Sequence, residues 1–165
     1  MIKQASSNGS GIRKGAAFVL KKADELGASN IKSFEEEVLI SDDKVRIYDI
    51  LLKNKKRVEC KSWSQFYEST IEKQFLKGDL LGAKKLDDIR YFVDEKKMSL
   101  DDWFSNMRDF MLKHADEIWK EKKLKDLFTK AAELKDVTLS DTKSFKNFIE
   151  TNREGWFDVI FKQEL

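Results

Sequence analysis

The sequence predicts an α/β (α+β) fold: a leading helix, three strands, a second helix and a fourth strand, followed by a helical extension. Three observations predict it. Apolar residues recur at helical spacing up to Gly27, then switch to the two-residue alternation of strands. Two turn clusters, Ser41-Asp42-Asp43-Lys44 and Lys53-Asn54-Lys55-Lys56, divide that alternating stretch into three. Beyond residue 93 the apolar positions return to spacings of three and four.

Each element has its own signal. Residues 1–10 are small and polar and end near Asn8-Gly9-Ser10-Gly11, so they read as a leader or linker. Ile12, Ala16, Val19, Ala23 and Leu26 form the stripe of the first helix, and Gly27 closes it. Strands are expected over Ile31 to Ile40, Val45 to Leu52 and Arg57 to Trp63. Ser62 and Gln65 have the spacing of a capping box for the next helix, whose stripe is Tyr67, Ile71 and Phe75. Gly78 and Gly82 weaken that helix and predict a break. Ile89-Arg90-Tyr91-Phe92-Val93 is a fourth strand beside the earlier ones.

The last third is helical. Ser99 and Asp102 open a helix with the stripe Leu100, Trp103, Phe104, Met107, Phe110, Met111 and Ile118. Leu124, Leu127, Phe128, Ala131 and Leu134 mark a second, and Phe145, Phe148 and Ile149 a short third. Trp156 to Phe161 fits either an edge strand or a last helical turn. The chain is expected to be one domain over 11–165, with a core at 11–93 and a helical extension at 94–165.

Composition removes several classes. Charged residues make up 38% of the chain yet leave a net charge of only +2, so no polybasic tail announces nucleic acid. A single cysteine rules out an internal disulfide framework, and Cys60 is expected to point into the core. No run is long and apolar enough to span a bilayer, and no signal peptide is present.

The chemistry concentrates on two strands. Val45-Arg46-Ile47-Tyr48-Asp49-Ile50-Leu51 carries one acid; Arg57-Val58-Glu59-Cys60-Lys61 carries an acid and a lysine. Alternation puts Glu59 and Lys61 on one face. Two carboxylates and an ammonium suit a divalent metal (magnesium, manganese or zinc) and phosphodiester hydrolysis, which needs an activated water and stabilised charge at phosphorus. Asp49 and Glu59 are the candidate metal ligands, and Lys61 the group that orients the water or neutralises the transition state. There is a geometric condition. An even-length hairpin loop pairs Asp49 with Cys60, on the wrong face; an odd loop or a bulge pairs it with Glu59. The hairpin is therefore expected to be irregular.

The element order, with Tyr48-Asp49, nine intervening residues and Glu59-Cys60-Lys61, resembles the PD-(D/E)XK nuclease superfamily over roughly residues 11–93. Tyr48 stands where the name-giving proline would be, a position that varies in the superfamily. The resemblance implies a further acid from the leading helix, for which Glu25 is the candidate, with Glu35, Glu36 and Glu37 competing from the first strand. It also implies substrate contacts from the following helix, matched by Lys73, Gln74 and Lys77. The hairpin lysines Lys53, Lys55 and Lys56 would grip phosphates. The substrate is DNA or tRNA, which no residue distinguishes.

Size, leader and compact layout also resemble the toxin tips of contact-dependent growth inhibition and related polymorphic toxins. That resemblance implies secretion as part of a larger protein, action in the target-cell cytoplasm and neutralisation by a cognate immunity protein.

Other chemistries find less support. His114, the only histidine, lies on an apolar stripe between Met111 and Ile118 and reads as a core or boundary residue. One histidine and one cysteine exclude a zinc finger, and no nucleophile or phosphate-loop motif is present. Two alternatives stand beside the toxin nuclease. One is a non-enzymatic interaction module using the aromatic helices; the other is a cellular restriction or repair nuclease.

Overall fold

The computed structural model of the chain describes residues 10–41 and 44–162. The leader assigned to residues 1–10 lies outside them except for Ser10, as do the turn residues Asp42 and Asp43 and the side chain of Glu36. The fold is α+β, with a mixed five-stranded sheet and, among the described residues, seven α-helices.

Helix α1 (Ser10–Leu26) buries Ala16, Val19, Ala23 and Leu26, the stripe read from the sequence. Gly27 ends it at φ 78°, a left-handed backbone that glycine adopts without a Cβ clash, and its amide donates to the carbonyls of Ala23 and Asp24. Three strands follow: β1 (Ile31–Ser41), β2 (Lys44–Leu52) and β3 (Arg57–Lys61). They pair antiparallel in sequence order. Strand β4 (Ile89–Val93) lies parallel to β3, so a crossover must link the two.

The crossover differs from the expected helix in start and in winding. It begins at α2 (Glu68–Ile71) with Tyr67 as its N-cap, so Ser62 and Gln65 form no capping box there. It runs on as a π-helix, Glu72–Leu80, rather than breaking at Gly78. An extra residue per turn keeps the helix continuous and turns Asp79 into the interior, where it is 0% exposed.

Helices α3 (Leu100–Lys113), α4 (Ala115–Lys120), α5 (Lys122–Glu133), α6 (Thr142–Thr151) and α7 (Arg153–Ile160) form the extension. The Ser99 hydroxyl caps α3 by accepting from the Asp102 amide. The single helix expected from Leu100 to Ile118 is instead broken at His114, half-buried and packed on Phe110. Residues 156–161 resolve both ways: α7 ends at Ile160, and Phe161–Lys162 form β5, parallel to β4.

The sheet separates two cores of unequal size. On one face α1 packs Val19, Ala23 and Leu26 against Ile50, Leu52, Val58 and Phe92. The other face carries Ile89, Tyr91 and Val93 against the crossover and the helical extension. Alternation along β4 sends Phe92 one way and its neighbours the other. Trp103 and Trp156 are fully buried in the larger core, so these two are packing residues rather than a partner surface.

Candidate functional site

The β2–β3 hairpin has the odd loop that the chemistry requires. The Leu52 amide donates to the Lys56 carbonyl, leaving three residues, Lys53, Asn54 and Lys55, in the turn. Lys55 takes the left-handed conformation that closes such loops, at φ 70°. The resulting register sets Ile50 opposite Val58 and Leu51 opposite Arg57, which brings Asp49 level with Glu59.

The ladder does not continue past that point. Instead Asp49 Oδ2 accepts the backbone amide of Cys60 at 2.8 Å. Side-chain alternation also breaks here. Ile50 packs under α1, whereas the Tyr48 ring lies beneath the guanidinium groups of Arg46 and Arg57 on the opposite face. On the adjoining strand, Glu35 falls between the pairs Phe34–Ile50 and Glu36–Tyr48 and has φ 48°. A non-glycine residue in that region within a strand marks a local distortion, although the register is the same on either side of it.

Glu59 and Lys61 are buried, 3% and 6% exposed, which excludes a solvated pair on an open sheet face. Lys61 Nζ donates to Glu59 Oε2 and to Gln74 Oε1, both at 2.8 Å. Its ammonium also lies over the rings of Trp63 and Tyr91, and Trp63 stacks on Trp103 of α3. The aromatic packing thereby holds the end of β3 against the larger core.

A second cation completes the cluster. Arg46 Nη2 lies 3.0 Å from Glu59 Oε1, a pair whose alignment falls short of a hydrogen bond. Its Nε donates to Asp79 Oδ1 at 2.9 Å, and its Nη1 to the Ile47 carbonyl. The Tyr91 hydroxyl donates to the other Asp79 oxygen. Gly78 leaves room for this arrangement: a Cβ there would come within 3.5 Å of Arg46 Cδ and 3.3 Å of the Lys73 carbonyl.

The electrostatics follow from burial. Desolvation, followed by the Glu59 charge, pushes Asp49 up to about 6. The same two causes raise Asp79. For Arg46, desolvation opposes the charge, but Glu59 and Asp79 outweigh it and raise its pKa further. Desolvation also raises the Cys60 thiol, which packs partly buried against the α1 core as expected.

Arg46, Asp49, Glu59, Cys60, Lys61, Trp63 and Gln74 line a cleft of about 450 Å³, together with Gly15, Val19, Glu35, Glu37, Ile47 and Ser62; Asp79 and Tyr91 stand behind it in the core. Asp49, Glu59, Lys61 and Gln74, all singled out in the sequence, meet there. Glu25 does not. From α1 the cleft is lined by Gly15 and Val19; Glu25 is six residues further on, about 9 Å along the helix axis. It is exposed and ion-paired with Lys21 and Lys22, which keep its carboxyl low. The acids that do reach the cleft from outside the hairpin are Glu35 and Glu37 of β1.

The hairpin lysines lie away from the cleft. Lys53, Lys55 and Lys56 sit at the turn, and the cleft lies at the far end of β3, about 20 Å from Lys55 to Lys61 along an extended chain. Lys56 is held by Asp87 at 2.7 Å. Lys73 is exposed and is not among the residues lining the cleft, and Lys77 turns to Glu72 and Glu117 beside α4.

Arg46 and Asp79 were not singled out as site residues. One signal was present: Asp79 continues the four-residue spacing of Tyr67, Ile71 and Phe75, an acid where the stripe calls for an apolar side chain.

Whether the site suits a metal turns on its donors. Among the described residues no group of three or more His, Cys, Asp or Glu side chains stands ready as a full ligand set. Two carboxylates do converge, Asp49 destabilised as an anion by Glu59 and Glu59 Oε1 lacking a hydrogen bond. That donor set fits a magnesium-like ion, which keeps several waters and needs only one or two carboxylates. It does not fit a closed structural zinc site. Comparison of the chain with known protein families, with curated proteins and with solved structures gives no match.

Proposed function

We propose that the chain is a metal-dependent endonuclease of the PD-(D/E)XK kind, acting on DNA or tRNA. The observation that carries this reading is the meeting of Asp49, Glu59 and Lys61 in one cleft, by way of an odd hairpin loop whose parity the chemistry demands. The helix–strand–strand–strand–helix–strand order supports it, as does a glutamine on the crossover that touches the lysine.

In this reading Asp49 and Glu59 hold the cation. When bound, the ion supplies Lewis-acid activation of water and neutralises charge at phosphorus. Lys61, fixed by Glu59 and Gln74, sets its ammonium where the attacking water or the transition-state charge sits. Tyr91 and Trp63 keep that ammonium from swinging to solvent. Glu35 or Glu37 takes the place of the third acid.

The test is direct. Purified chain with magnesium, manganese or zinc is expected to cleave plasmid DNA or total tRNA. Asp49→Asn and Lys61→Ala are expected to lower the rate by roughly a hundredfold or more. No cleavage of any nucleic acid in any of these metals sinks the nuclease reading and leaves the interaction module. Delivery as a toxin belongs to the same proposal, supported by the sequence layout alone. It predicts growth arrest on expression inside a cell, relieved by a dedicated small inhibitor.

A further inference from the structure

We infer that Arg46 is a resident counter-ion for Glu59, which a divalent cation must displace from the carboxylate before the site can work. The inference rests on the nuclease reading of the cleft and deepens it by naming what regulates occupancy.

The side chain is built to stay. Arg46 is fixed at two of its three nitrogens, Nε on Asp79 and Nη1 on the Ile47 carbonyl. Asp79 is in turn fully buried and held by Tyr91. Asp79 of the π-helical turn points inward, and Gly78 beside it lies against the arginine stem. Such a scaffold costs desolvation of a carboxylate and a guanidinium, and one side chain would not be buried this way for solubility.

The contact to Glu59 is different in kind. Nη2 and Oε1 are 3.0 Å apart, both buried, yet neither makes a hydrogen bond. It is the one unaligned contact of an otherwise pinned guanidinium. It competes for the oxygen that a metal would take. Once Glu59 turns to the ion, Nη2 is left as a positive donor beside the cation, placed for a phosphate oxygen.

Two variants should therefore change metal affinity in opposite directions. Arg46→Gln removes the competing charge and is expected to tighten manganese binding by roughly tenfold. Asp79→Asn frees Arg46 from its second carboxylate, strengthens its hold on Glu59 and is expected to weaken binding several-fold. Calorimetric titration of manganese into each folded protein, with circular dichroism as the folding control, reads both. Nuclease turnover of Arg46→Gln should fall even as its affinity rises, and Arg46→Lys should restore part of it.

If the unaltered chain binds no manganese, the nuclease reading itself fails. If it binds, and Arg46→Gln binds equally or more weakly, this inference is overturned and the reading stands. Should Arg46→Gln not fold, Arg46→Lys decides. Lysine cannot span both carboxylates, so its hold on Glu59 must differ from the arginine's and manganese affinity must change with it, and no shift rejects the counter-ion role.

Discussion

Asp49 Oδ2 accepts the backbone amide of Cys60, the residue lying between Glu59 and Lys61. One side-chain bond thus replaces the next rung of the β2–β3 ladder and ties the acid of one strand to the acid–lysine pair of the other. It also leaves Asp49 partly buried beside a second carboxylate, at a cost to stability.

That cost should be visible in pH. Desolvation and Glu59 raise Asp49 from its ordinary 3.8 to about 6. Between those values the folded chain keeps a proton that the unfolded chain has lost. The contribution to stability is therefore full below about pH 4 and declines as pH rises through 6. Without metal, Asp49→Asn should be more stable than the wild type near pH 7.5 by about 1–3 kcal/mol. The difference should vanish near pH 4. Urea unfolding at both pH values checks this, and a gap that ignores pH would contradict it. Magnesium should narrow the gap by stabilising the wild type alone.

The acids that line the cleft from outside the hairpin come from β1, not from α1. Glu25→Gln should leave both metal affinity and cleavage unchanged, because its carboxylate serves Lys21 and Lys22 at the protein surface. Glu35→Gln or Glu37→Gln should weaken metal binding several-fold. Parallel manganese titrations of the three variants distinguish them; an effect confined to Glu25 would restore the helix acid.

The hairpin turn is structural. Lys55 holds φ 70° without being glycine, a conformation that costs a side-chain-bearing residue roughly 1 kcal/mol. Lys55→Gly should stabilise the fold by about 0.5–1 kcal/mol and leave cleavage rates unaltered. A fall in nucleic-acid affinity would return the turn lysines to the binding surface.

Far from the cleft, Gly155 is where α7 meets α6. A Cβ there would stand 2.9 Å from two ring atoms of Phe148, itself fully buried. Gly155→Ala should destabilise the chain by about 1–3 kcal/mol, since neither ring nor helix has room to retreat. Thermal melts would record the loss, with manganese affinity at low temperature unchanged.

What the sequence makes legible is local. The shared face of Glu59 and Lys61 follows from strand alternation, and the level of Asp49 with Glu59 from turn parity, both properties of adjacent residues; the break in alternation at Asp49 does not. Gly27 and Ser99 end or begin helices as their conformational and hydrogen-bonding properties dictate. The rest depends on partners distant in the chain. Arg46 and Asp79 meet across 33 residues, and nothing near either one announces the other. The π-helical winding is a tertiary outcome too, since burying Asp79 against Arg46 and Tyr91 decides how the crossover coils. The separation of the hairpin lysines from the cleft is not legible either, because charge density at a turn is easy to see, whereas the direction in which the strands open is not.

The unequal thickness of the two layers has a last consequence. Among the described residues the sheet rests on a thick bed of helices on one side and is roofed on the other by α1 alone, with Val19 at the meeting of roof and cleft. Spontaneous breathing should begin where the fewest apolar groups must part, so the roof lifts before the bed stirs. Each such excursion would bare Asp49 to water while Lys61, bedded on Trp63 and Tyr91, stays in place.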